Sequence, residues 1–195
     1  MRIEICGGIA SGKTTLARLL ARNNITPILE RFRDNPFYEA FYRHPLAHAF
    51  ETEITFLLLH YHQIKIASRK SKRICCDFSL VLDHAYAHVT LPPAQLKEFR
   101  SLQMFLGPEL PRRSLLIHLV CDADSEMARI RKRGRATEAR ITHSYLSALN
   151  DSLARRVESL GRLESVMKID SATIDFAHSE AARKRILKEI SDRAS

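Results

Sequence analysis

Gly7-Gly8-Ile9-Ala10-Ser11-Gly12-Lys13-Thr14 fits the phosphate-binding loop pattern G-x-x-x-x-G-K-[ST] at every position. Each residue type has a chemical reason. Glycines let successive backbone N–H groups turn inward toward phosphate oxygens. Lys13 brings a point charge to the β- and γ-phosphates, and the Thr14 hydroxyl can ligate Mg²⁺. Thr15 follows at the start of a helical stretch, so the positive end of that helix faces the same anion. The whole run from Gly7 to Thr15 is therefore the expected nucleotide-binding loop, a motif that alone does not separate a kinase from a GTPase, an ATPase motor or a binding protein.

A loop of this kind needs a strand to deliver it and a helix to receive it. Arg2–Cys6 reads as that strand and Thr15–Arg22 as that helix. Further strands are expected at Ile25–Leu29, Ile74–Asp77, Leu115–Val120 and Val166–Ile169. Helices are expected at Pro36–Tyr42 (with Asn35 as N-cap), Pro45–Ser68, Ser79–Thr90, Pro93–Leu106, Ser125–Arg133, Glu138–Leu160 and His178–Arg193. Strands alternating with helices imply an α/β fold, a five-stranded parallel sheet of P-loop NTPase type covered on both faces. Ligands then gather at the carboxyl ends of the strands, where Glu30 and Asp77 stand.

The chain has 195 residues, 45% of them apolar, which suits one domain with a real core over 1–195. No apolar run reaches the length of a membrane span. A strand beginning at residue 2 is expected to leave no room for a signal peptide. The cysteines Cys6, Cys75, Cys76 and Cys121 lack C-x-x-C spacing and lie in or beside apolar strands. Buried reduced thiols in a cytoplasmic protein are expected, and a zinc site is not. The net charge of +9 is concentrated at Arg69–Arg73 and Arg129–Arg140. A nucleic-acid surface would account for it, but anionic phosphate substrates account for the second cluster more economically.

Three further segments narrow the chemistry: Glu30-Arg31-Phe32-Arg33-Asp34-Asn35-Pro36-Phe37 with Phe41-Tyr42; Asp77-Phe78-Ser79 with Asp83; and Arg129 to Glu138 followed by Tyr145-Leu146. With the loop, and in this order, they resemble the deoxynucleoside kinase family from residue 2 to about residue 150. That family phosphorylates deoxynucleosides with ATP and Mg²⁺. The resemblance implies that Glu30 takes the proton of the nucleoside 5′-hydroxyl, a role open to a carboxylate within hydrogen-bond reach of that oxygen. It implies Thr14 and Asp77 at the metal. It implies a lid at about residues 129–138, whose Arg129, Arg133 and Arg135 meet the γ-phosphate. Clustered guanidinium groups there would stabilise the charge that phosphoryl transfer gathers. It places Glu138 and Tyr42 at the sugar 3′-hydroxyl, and Asp83 among the substrate-binding residues. The family commonly has Arg after the metal-side acid, where this chain has Phe78. Arg31 or Arg73 is the expected substitute.

The base pocket departs most. Phe50, Glu53, Leu57 and His60 share a face of the long helix by 3–4 spacing. Phe50, Glu53 and His60 are expected to touch the base. Glu53 stands where most of the family has a base-reading Gln, and His60 where many have Arg. An ionised carboxylate only accepts hydrogen bonds, which suits the adjacent N1–H and N2–H donors of guanine; adenine and cytosine fit an amide better. The alternative is that Glu53 pairs with His60 or an arginine and never meets a base. The expectation is a deoxynucleoside kinase favouring a purine, guanine first, acting as a homodimer. A nucleoside monophosphate kinase and a non-catalytic nucleotide-binding subunit of the same fold are the rivals.

Overall fold

The computed structural model of the chain describes residues 1–160 and 165–194. Its centre is β1 (Arg2–Gly7), whose Ile3 and Ile5 enter one core and whose Cys6 enters the core on the opposite face. β4 (Leu115–Val120) repeats the alternation: Leu115, Ile117 and Leu119 face one way and Leu116 the other. With β2 (Thr26–Ile28), β3 (Ile74–Cys76) and β5 (Val166–Asp170), these strands form a parallel sheet in the order β2-β3-β1-β4-β5. Pro27 can sit in β2 because β2 is an edge strand, where a missing N–H costs no ladder bond on the open side.

Helices cover both faces. α1 (Lys13–Leu20) and α8 (Glu180–Ala194) close one core through Leu16, Leu20, Ile186 and Ile190. α4 (Leu80–Thr90), α6 (Ala123–Arg133) and α7 (His143–Leu160) close the other through Leu82, Ala85, Ile130, Leu146, Leu149 and Leu153. A third cluster joins α2 (Tyr38–Arg43), α3 (Pro45–Lys70), α4 and α5 (Pro93–Leu106) through Phe41, Leu57, Ala87 and Phe99. Burial of each such side chain contributes about 1.5–3 kcal/mol before the entropy of ordering it. The four cysteines are buried and free, as expected.

Six helix starts differ from the sequence expectation: α1 begins two residues early, α4 one late and α8 two late, and the other three have a local cause. Asn35 does not cap α2. Its Oδ1 accepts from Phe37 N at 3.0 Å in a local turn, and the helix begins two residues after Pro36. α6 starts two residues early, because the Asp122 carboxylate accepts from Ser125 N at 2.7 Å. The expected helix from Glu138 is instead a 3-10 turn, Ala136–Glu138, and α7 starts at His143, where Thr142 Oγ1 accepts from Tyr145 N at 3.2 Å.

Candidate active site

β1 runs directly into the loop Gly7–Gly12 and α1. Gly12 has φ +103°, a conformation that side chains rarely adopt, and a Cβ there would stand 3.0 Å from Phe176 Cζ. Gly8 is needed for a different reason. A Cβ at this position would come 2.0 Å from Glu126 Oε1, on a carboxylate buried beneath the loop. Burial pushes that carboxyl up to about 7, against the lowering effects of Asn150 and Lys13. Lys13 Nζ donates to Gly7 O (2.9 Å) and Gly8 O (2.8 Å). Burial lowers the Lys13 pKa, while Glu30, Glu126 and Asp77 act to hold the charge.

The ends of β2 and β3 lie side by side because those strands pair in register, Ile28 opposite Cys76. That brings the residues just past them together. Asp77 Oδ1 accepts from Glu30 N at 2.6 Å, and Oδ2 accepts from the Thr14 hydroxyl at 2.5 Å. Burial raises the Asp77 pKa, opposed by Thr14 and the Glu30 N–H. Glu30 Oε1 lies 3.3 Å from His60 Nε2. Burial would raise the Glu30 pKa, yet His60, Lys13 and Arg135 hold it below the usual value. His60 Nδ1 in turn lies 2.9 and 3.0 Å from the two oxygens of Asp83.

Across the opening, Arg133 Nη2 donates to Glu138 Oε2 at 2.6 Å and Arg135 Nη1 to Glu138 Oε1 at 3.3 Å. Arg135 also stacks over Phe32, 4.9 Å from the ring centre. Arg129 donates to Ser171 O at 2.5 Å and to Ala10 O at 3.4 Å, tying α6 to the phosphate loop.

The cationic and acidic side chains that face the opening line one cavity of about 450 Å³. Its wall includes Ile9, Ala10, Gly12, Lys13, Thr14 and Thr15 of the loop, with Glu30, Asp77, Tyr42, Glu53, His60, Asp83, Arg129, Arg133, Arg135 and Glu138. Gly7, Gly8 and Ser11 shape the loop without lining the cavity.

Four expectations need correction. Phe50 is not on the wall; it packs into the Phe41–Leu57–Phe99 core, and Phe56, one helical step from both Glu53 and His60, takes its place. The cavity-facing stripe of α3 is thus rotated from the Phe50–Leu57 line. Arg31 and Arg73 do not stand in for the missing family arginine. Arg31 is largely exposed beside Asp34, and Arg73 is exposed in the turn before β3. Glu53 does not pair with His60. It accepts from Thr90 Oγ1 at 3.1 Å, with burial pushing its carboxyl up to about 8 and Thr90 only partly offsetting that. Burial thus favours the protonated form over the ionised acceptor expected. Tyr86 and Phe32 also line the wall; Tyr86 was legible as the residue one turn beyond Asp83.

The donor set fits Mg²⁺. The ion prefers hard oxygens and takes one or two side chains, leaving other positions to water and phosphates. Thr14 and Asp77 offer that pair beside Lys13. Among the described residues no group of three or more His, Cys, Asp or Glu could hold a metal unaided.

A family model described as deoxynucleoside kinase matches residues 3–194. The chain is 28% identical over 198 residues to a deoxyguanosine kinase of Bacillus subtilis, covering 97% of this chain and 96% of the relative. It is 29% identical over 208 residues to a deoxyguanosine kinase of Lactobacillus acidophilus, covering 98% and 90%. It is 26% identical over 178 residues to a deoxyadenosine kinase of Dictyostelium discoideum, covering 86% and 71%. A solved deoxyadenosine kinase from M. mycoides with bound dCTP superposes with a TM-score of 0.84 at 20% identity, covering 98% of this chain and all of that one. At that identity the likeness shows the fold.

Proposed function

The chain belongs to the deoxynucleoside kinase family, and on that footing we propose that its cavity takes a purine deoxynucleoside, deoxyguanosine foremost, and phosphorylates the 5′-hydroxyl. The protein is an ATP-dependent kinase of a deoxynucleoside. The guanine preference leans on the relatives named deoxyguanosine kinase; the observation that carries the reaction is one shared cavity. It joins a complete phosphate loop to a strand-end carboxylate and a buried hydrogen-bonding wall.

Glu30 accepts the proton of the 5′-hydroxyl as that oxygen forms its bond to the γ-phosphorus. The bond from phosphorus to the bridging oxygen breaks, and ADP leaves with the electron pair. Glu30 suits this because it stays ionised at neutral pH, with its pKa lowered, and faces the cavity. Lys13, Arg129, Arg133 and Arg135 offset the charge that builds on the phosphoryl oxygens. Thr14 and Asp77 would hold Mg²⁺, whose contribution when bound is further positive charge against the phosphates. Glu138, braced by two arginines, and Tyr42 face the sugar 3′-hydroxyl. Glu53 meets the base edge.

The protein acts as a homodimer in the cytoplasm on this reading. Leu58 of α3 and Met104 and Phe105 of α5 are large exposed apolar side chains that a partner copy would cover. The free buried thiols suit a reducing compartment, and among the described residues no helix is long and apolar enough to cross a membrane. A phosphorylation and thermal-shift panel of all deoxynucleosides with ATP and Mg²⁺ tests the reading. Deoxyguanosine should give the highest kcat/KM. A preference for deoxycytidine or thymidine overturns the base assignment.

A further inference from the structure

We propose that His60 is the positioning residue of Glu30: held on one nitrogen by Asp83 and packed face-on against Phe78, it presents its other nitrogen to the Glu30 carboxylate and does not read the base. This rests on the reading of Glu30 as the general base.

The geometry leaves His60 little else to do. It is 3% exposed. Its ring lies on Phe78, centroids 4.1 Å apart and planes 12° from parallel, with Phe56 at 5.6 Å and 30°. Both ring nitrogens have carboxylates within reach, Asp83 at 2.9 Å from Nδ1 and Glu30 at 3.3 Å from Nε2. A neutral imidazole has one N–H and would turn a lone pair toward one of the two acids; the imidazolium serves both. Burial disfavours that charge, but Asp83 and Glu30 outweigh it and push the pKa up to about 10. The Nε2 contact is an ion pair without hydrogen-bond alignment. It fixes a positive charge beside Glu30 while the carboxylate can still turn toward the substrate.

The three residues come from different parts of the fold. Glu30 follows β2, His60 lies on α3 and Asp83 on α4. The chain Asp83–His60–Glu30 thus ties the Glu30 carboxylate to the helical layer, while its backbone N–H is held by Asp77. Phe78 follows Asp77 directly, so one segment supplies both the acceptor for the Glu30 N–H and the surface on which His60 lies.

The test is a double-mutant cycle between His60→Gln and Glu30→Gln, read as kcat and KM for each deoxynucleoside. His60→Gln keeps a donor for Asp83 but removes the cation. We expect kcat to fall about 10- to 100-fold, with nucleoside KM within about threefold and the ranking of bases kept. In the Glu30→Gln background the same change should alter residual turnover by less than about twofold, because there is no general base left to position. Equal losses in both backgrounds would mark His60 as merely structural and overturn the proposal. A raised KM with a reordered ranking of bases would make it a base reader and overturn it as well. Full turnover in Glu30→Gln alone would remove the premise, an outcome recognised from the single variant. Should His60→Gln fail to fold, Asp83→Asn, which loosens the hold on Nδ1, decides by the same cycle.

Discussion

The Thr14 hydroxyl donates to Asp77 Oδ2 at 2.5 Å, across 63 positions of sequence. This bond ties the first turn of α1 to the tip of β3. The other Asp77 oxygen receives the Glu30 N–H at 2.6 Å, so the segment after β2 joins the same knot. The phosphate loop, Asp77 and Glu30 therefore stand just past the ends of three neighbouring strands, β1, β3 and β2, whose parallel register fixes their spacing. A rigid sheet end is a better place for groups that must meet a reacting phosphorus than a loop that wanders.

Lys13→Ala is expected to lower kcat at least ~10²-fold, because a preorganised positive group aimed at developing charge is lost. The side chain also bonds Gly7 O and Gly8 O, so loop order could suffer. Circular dichroism and a melting curve beside the kinetics separate the two. A folded Lys13→Ala protein with near-normal turnover would sink the role given to Lys13.

Glu30→Gln keeps the shape and cannot take a proton. Turnover should fall ~10²–10⁴-fold while nucleoside binding, measured by calorimetry, stays close to wild type. Asp77→Asn should act differently. It weakens the acceptor of both the Thr14 hydroxyl and the Glu30 N–H, so its main effect should be a higher Mg²⁺ requirement. If Asp77→Asn abolished turnover at saturating Mg²⁺ while Glu30→Gln left it intact, the base would be Asp77.

Much of this was legible in the residues. β4 is bounded by Leu115 and Val120 as its apolar run implies, and α5 by Pro93 and Leu106. Such runs carry their own ends: polar neighbours for a buried strand, proline at a helix start. The loop, Glu30, Asp77, Arg129, Arg133 and Arg135 do surround one cavity. What failed was rotation. A 3–4 spacing says that Phe50, Glu53, Leu57 and His60 lie together on α3, but not which way the stripe points. Tertiary packing turned Phe50 and Leu57 into the core and Phe56 to the cavity. The His60–Phe78 stack and the His60–Asp83 bond were not legible either. Each joins segments far apart in the chain, and no local pattern encodes the approach.

Gly12→Ala should destabilise the fold by about 1–3 kcal/mol, since φ +103° strains any side chain and the new Cβ would press on Phe176. Gly107→Ala is the matched control. Nothing lies within 4 Å of its Cβ and its φ is −55°, so the change should stay within about 0.5 kcal/mol of wild type. Urea unfolding of both proteins gives the comparison. Equal stability of the two variants would mean that the loop relaxes around Gly12 at no cost.

Base choice should depend on pH through Glu53. Its carboxyl is buried with a hydroxyl, Thr90, as its hydrogen-bond partner, and its pKa is pushed up to about 8. Below that pH the group is neutral, offering one O–H donor and one acceptor; above it the group is ionised and only accepts. Guanine suits both states, presenting O6 and N1–H to the acid and N1–H and N2–H to the carboxylate. Adenine suits only the first, because its N1 lone pair would face an anion in the second. Raising the pH from about 6.5 to about 9 should therefore increase the kcat/KM ratio of deoxyguanosine to deoxyadenosine. The loss of one hydrogen bond to a charged group, about 1.5–3 kcal/mol, sets the scale at roughly 10- to 100-fold. Glu53→Gln keeps a donor and an acceptor at every pH, so its ratio should stay flat and resemble that of the wild type at the acid end. A wild-type ratio that does not move with pH, or a Glu53→Gln ratio that rises in parallel with it, would show that Glu53 does not touch the base.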